Sequence, residues 1–185
     1  MVEFALLMPF LLVLALGTAD MGLGWVASDR AESASAQAAR VAAVSGARVE
    51  ADRDVLVTLA TALPANELGN LDRVVIFKPG AGGAVPAGCI KTAGDPSETG
   101  ATGCNTYSGA TVRATTATSM TGFGGGAGAK DRYWSPASRN DALSDPPDYI
   151  GVWFRTTHDS QVGGFFGSIG VTKVTIFRIQ PDLAG

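Results

Sequence analysis

Two carboxylates stand inside an otherwise apolar run, and they are the residues of this chain best placed to do chemistry. Glu3 opens the run and Asp20 lies near its far end. An acid at the centre of a membrane helix costs about 2.5–3.5 kcal/mol on insertion scales, so such residues usually face a partner or a wet cavity. The chemistry open to them is pairing with a cation. Glu3 also suits the positive end of a helix dipole and is placed to meet an N-terminal amine. The plainer alternative puts Glu3 among lipid headgroups and lets Asp20 reach the opposite interface.

Other chemistry-bearing residues are sparse. Cys89 and Cys104 are the only cysteines, and they flank a loop rich in Gly, Thr, Asp and Pro. Two cysteines cannot complete a structural zinc site, so an extracytoplasmic disulfide is the economical reading. Closing a loop of this length would stabilise the fold by about 3 kcal/mol in the chain-entropy model. His158 is the only histidine and stands beside Asp159. A His–Asp pair can orient a base, but no Ser or Cys sits in an elbow-type motif to serve as nucleophile. His158 is therefore read as a solvated loop residue.

Four acids, Asp131, Asp141, Asp145 and Asp148, punctuate the polar, Pro-rich stretch 130–148. Oxygen-rich loops can hold calcium, but the EF-hand spacing is absent and the acids read as solvated, with calcium the alternative. The glycines at 80, 82 and 83 lack the third glycine and following helix of a dinucleotide loop. The run 122–128 lacks the Gly-Lys-Ser/Thr ending of a phosphate loop. No enzyme, metal or cofactor is predicted. A net charge of −3 over 185 residues gives no reason to expect a nucleic-acid surface.

The elements that carry these residues begin with a helix. Residues 4–27 are roughly two dozen positions with one acid and no base. At about 1.5 Å per residue they span about 30 Å or slightly more, the thickness of a bilayer core. A cleaved signal peptide would carry a basic region where Glu3 stands, so a retained membrane helix is expected. Pro9 predicts a kink. Gly17, Gly22 and Gly24 permit close helix approach, and Trp25 suits the headgroup level. The Ala-dense stretch that follows continues the helix to about Val44. A second helix is expected over residues 50–63, with Val55, Leu56, Leu59 and Leu63 on one face, ended by Pro64. Residues 66–70 read as a turn.

Strands are expected over residues 71–78, 149–156 and 171–179, with an edge strand within the Thr-rich 111–120. The last two strong strands should pair as an antiparallel hairpin. Ile150, Val152 and Phe154 would share one face, with Gly151, Trp153 and Arg155 on the other. On the final strand Val174 and Ile176 oppose Lys173, Thr175 and Phe177. The connection between them holds Phe165 and Phe166 in a glycine frame, a contact tip if exposed and a cap on the core if folded back. The fold class is α+β: a long N-terminal helix and its extension over residues 1–48, then an extracytoplasmic globular unit with a small antiparallel sheet over 49–185.

The order Glu3-Phe4, Pro9, Gly17 and Asp20 in an apolar helix resembles the TadE-like proteins. These are pilin-like minor components of tight-adherence (Tad/Flp) pilus systems within the type IV pilin group. The resemblance covers about residues 2–24, and the rest agrees only in general layout. It implies a short basic leader ending in Gly, removed by a prepilin peptidase. Such a leader would also supply the cytoplasmic charge that Arg30, Arg40 and Arg48, on the far side of the membrane, do not. It further implies other pilus subunits as partners, with membrane lipid around the helix before assembly. In that setting Glu3 would neutralise a neighbour's N-terminal amine, and mis-registered subunits would bury an unpaired carboxylate.

The expected function is thus a structural, pilin-like subunit, anchored in the cytoplasmic membrane and then packed by its N-terminal helix in an extracellular filament. The alternative is a single-pass membrane protein whose β domain is a binding or adhesion module, working through the Cys89–Cys104 loop or the Phe165-Phe166 tip. An envelope hydrolase ranks last for want of a site.

Overall fold

The computed structural model describes residues 2–142, 145–160 and 167–181, with side chains from residue 7 onward. One helix, α1 (Val2–Ser45), runs through Pro9 and continues into the folded domain. Its two halves differ in what surrounds them. Leu7, Phe10, Leu11, Leu12, Val13, Leu14 and Leu16 are exposed, whereas Ala31, Ala34, Ala38, Ala39, Ala42 and Ala43 are buried. The buried positions recur at three- and four-residue intervals, so they form one stripe along the helix. Alanine at each of them lets the helix backbone approach its partners closely.

Gly46 ends α1 with φ +50, and its N–H donates to Ala42 O at 3.1 Å. This is the left-handed terminal glycine that satisfies a last-turn carbonyl. Next comes α2 (Ala51–Ala62), which lays Val55, Leu56 and Leu59 against α1, and Leu63 leaves the helix in extended geometry before Pro64. A single turn, α3 (Ala65–Gly69), replaces the turn expected over 66–70.

Four strands follow: β1 (Arg73–Phe77), β2 (Cys104–Ser108), β3 (Tyr149–Asp159) and β4 (Ser168–Arg178). The sheet order is β2-β1-β3-β4 and every pairing is antiparallel, which gives the α+β arrangement the pattern predicts. The period of two divides the sheet cleanly. Val74, Ile76, Ile150, Val152 and Phe154 face α1 and α2, while Val75, Phe77 and Trp153 pack on the opposite side around Cys89 and Cys104. Gly151 makes room there, because the Phe77 ring occupies the space a Cβ would need.

The expected edge strand within 111–120 is instead a short helix, α4 (Gly109–Ala114), capped where Ser108 Oγ accepts from Thr111 N at 3.2 Å. The sheet's edges are β4 and β2, and β2 begins at the second cysteine. It escapes the hydrophobic pattern because Asn105 and Thr106 are buried through hydrogen bonds. On β4, Val171 and Phe177 turn toward the helical layer, and Thr175 and Lys173 reach α1. Ile176 joins the outer cluster, and Val174 stays exposed.

Candidate functional site

The chain concentrates its unusual features where α1 leaves the domain. Among the described residues α1 is the one helix long and apolar enough to cross a membrane. Glu3 and Phe4 lie in its first turns, and their side chains fall outside the described set. Pro9 is within the helix and exposed, like its apolar neighbours. Phe165 and Phe166 lie outside the described residues.

Asp20 does not reach out to an interface, the plainer of the two readings. It is 3% exposed and engaged in an interaction. It continues the buried stripe of α1, three residues after Gly17 and four before Gly24, and Ala27 and Ala31 follow at the same spacing. Gly24 is a contact point for the sheet, since a Cβ there would sit 3.1 Å from Ile169 Cδ1 of β4. The glycine thus allows the β3–β4 hairpin to lie along the helix. On the exposed side, Met21, Leu23, Trp25 and Val26 remain uncovered, Trp25 at 80%.

Beside this junction a cleft of about 410 Å³ opens between α1, α3 and β3. Leu23, Val26 and Arg30 line one wall, and Asn66, Glu67 and His158 the other. His158 is not the solvated loop residue the sequence suggests. Strand β3 runs on to Asp159, and the imidazole is buried with neither ring nitrogen hydrogen-bonded. Glu67 is buried as well, and its Oε2 has no partner. Burial pushes the Glu67 carboxyl above the usual carboxylate range, while the charges of His158 and Arg30 pull in the opposite sense without overcoming it.

The far side of the domain holds the disulfide. Cys89 and Cys104 are bonded, with Cα atoms 6.1 Å apart, and both are fully buried against the outer sheet face. Inside the loop they close, Asp95 O and Ser97 O accept from the buried Arg73 guanidinium. Glu98 Oε1 accepts from Ser108 N at 2.8 Å. The loop is therefore fastened at several points to β1 and β2.

A buried polar cluster escaped the sequence reading. Asp52, in the first turn of α2, accepts from Asn105 Nδ2 at 2.8 Å and from Tyr107 OH at 2.6 Å, and forms an ion pair with Arg139. Arg139 stacks over Trp134, with its guanidinium carbon 4.5 Å from the ring centroid. Burial pushes the Tyr107 phenol far up, and the Asp52 charge adds to it. Only Tyr107, an aromatic within the otherwise polar β2, is a clue to this cluster. The loop acids divide similarly. Asp131 is buried and accepts from Gly124 N and Gly125 N at 2.8 Å each, and Asp148 pairs with Lys78 at 2.7 Å. Among the described residues no group of three or more His, Cys, Asp or Glu side chains gathers as for a metal.

No curated protein and no solved structure matches the chain. The family comparison does find a match, and it falls on the helix described above. Residues 1–40 of the 185 match the family model described as TadE-like protein, which covers Glu3, Phe4, Pro9 and Asp20 and is consistent with a TadE-like, pilin-type protein.

Proposed function

We propose that this chain is a structural subunit of a Tad-type pilus. Helix α1 holds it in the cytoplasmic membrane before assembly, and the same helix packs in the filament afterwards. The observation that carries this reading is the division of one helix into two environments within the matched segment. Among the described residues, the large apolar side chains of residues 7–16 are exposed, whereas the stripe from Ala27 to Ala43 is buried in the domain. A helix built this way couples the position of the domain directly to the helix that a lipid or a neighbouring subunit would surround.

In this reading the β domain lies outside the cell and Trp25 marks the outer interface. Glu3 sits in the apolar layer and takes the N-terminal amine of a neighbour, so that the correct register is the one that leaves no carboxylate unpaired. A prepilin peptidase removes a basic leader before incorporation. The experiment is fractionation: sheared filaments and membranes are assayed for the chain, and its N-terminus is read by intact mass. A processed chain in the filament fraction supports the subunit reading. A chain confined to membranes favours a tethered binding module instead.

A further inference from the structure

The cleft between α1, α3 and β3 has a composition the subunit role does not use. Its α1 wall changes character along its length, from Leu23 and Val26 to Arg30. Behind stand two buried groups with unused hydrogen-bonding capacity, Glu67 through Oε2 and His158 through both ring nitrogens. Buried polar atoms are nearly always partnered, so unpartnered ones on residues that line a cleft point to a ligand that partners them. The ligand must be amphiphilic to suit an apolar entrance, and must offer a donor to the acid and an acceptor to the base.

The position narrows the class. If α1 crosses the membrane as proposed, the rise of about 27 Å from Leu7 to Trp25 is close to the thickness of a bilayer core and brings the cleft near headgroup depth. We propose that the cleft binds the headgroup of a phospholipid carrying a primary amine, such as phosphatidylethanolamine. The phosphate takes Arg30 and the His158 N–H, the ammonium donates to Glu67, and the acyl end leaves past Leu23 and Val26. Phosphate recognition by a guanidinium is charge-assisted, and a neighbouring ammonium would favour the ionised form of Glu67 that burial otherwise disfavours. A choline headgroup has no N–H and leaves Glu67 unsatisfied. This inference rests on α1 crossing the membrane.

The test uses the full chain in nanodiscs. His158 is the only histidine, so its imidazole signals in a labelled sample report on this cleft alone. Incorporation is scored first, in discs of phosphatidylcholine; a chain that does not enter contradicts the membrane reading and this site with it. For an incorporated chain, adding phosphatidylethanolamine should move the His158 signals in a saturable way. Glu67→Gln should weaken that response by about tenfold or more. Arg30 is exposed, so Arg30→Gln leaves the fold intact and should weaken the response too, which keeps the test decisive if Glu67→Gln misfolds. The site is overturned, with the membrane reading intact, by equal responses to phosphatidylcholine or phosphatidylglycerol, or by a response that survives both substitutions. A response to soluble phosphoethanolamine without any to the lipid overturns the lipid source.

Discussion

Ser35 Oγ of α1 and Thr175 Oγ1 of β4 lie 2.8 Å apart, a hydrogen bond joining the long helix to the edge strand of the sheet. Lys173 Nζ reaches Glu32 on the same helix at 3.2 Å, and Gln180 N donates to Ala43 O at 2.8 Å. Together with the alanine stripe, these contacts make α1 a structural member of the domain, so the domain cannot swing freely about a tether.

Filling that stripe should therefore unseat the domain. Ala38 is fully buried at the helix–sheet interface. Ala38→Leu adds volume where there is no room and should destabilise the detergent-solubilised chain by about 1–3 kcal/mol. The exposed Arg40→Leu on the opposite face should be within about 0.5 kcal/mol of neutral. Urea unfolding followed by tryptophan fluorescence reads the difference.

Removing the centre of the buried polar cluster should cost more. Asp52→Ala leaves Arg139 as a buried charge without its carboxylate, and Asn105 and Tyr107 without their acceptor. A loss of about 3–5 kcal/mol is expected. Asp52→Asn should also destabilise, since it loses the charge but keeps an acceptor. An alanine variant as stable as the original would refute the account of why β2 tolerates polar residues.

Reduction of the disulfide should lower stability by about 3 kcal/mol, since the bond closes a loop of sequence separation 15. Here both sulfurs also belong to the outer cluster with Phe77 and Trp153. Cys89→Ala with Cys104→Ala should thus perturb near-ultraviolet circular dichroism from Trp153 as well as the urea midpoint. A midpoint shift without a spectral change would mean that the loop constrains only the unfolded chain.

Acid should weaken the same face. For Asp72, burial raises the carboxyl, but the Gly94 amide and the Arg155 guanidinium outweigh it and hold it low. For Glu98, burial is likewise outweighed by Lys130, Thr111 and Ser108. Both carboxyls are depressed in the folded state, so their stabilisation is complete above the unfolded range near about pH 4. It is lost as pH falls through the lower folded values. Glu67 runs the other way: its raised carboxyl favours the folded state when protonated, and that contribution is lost as pH rises through its folded value. Asp72→Asn with Glu98→Gln should flatten the acid limb of stability against pH. An unchanged limb would assign acid sensitivity elsewhere.

Much of this architecture is legible in the sequence because apolar residues recur at the periods of helix and strand. Val55, Leu56 and Leu59 mark α2, and the alternation from Ile150 to Phe154 assigns β3 to its two faces. The cysteine pair is legible because no other ligand accompanies it. What stays hidden is polar burial. Asn105 and Asp52 are 53 residues apart, and neither looks like a core residue until the other is placed beside it. His158 is hidden for a related reason: β3 extends beyond its apolar part, carrying the histidine under α3. Asp20 looks like a membrane acid in the linear chain, whereas in the fold it is buried on the same helix face as Gly17 and Gly24.

The most direct test of the central claim compares the unsubstituted chain with Glu3→Ala in sheared filaments and in membranes. The unsubstituted chain should appear, processed, in the filament fraction. Glu3→Ala should fold, retain its disulfide, reach the membrane and be depleted from filaments. Equal incorporation of the two would contradict the pairing role of Glu3, and absence of the unsubstituted chain from filaments would contradict the subunit role itself.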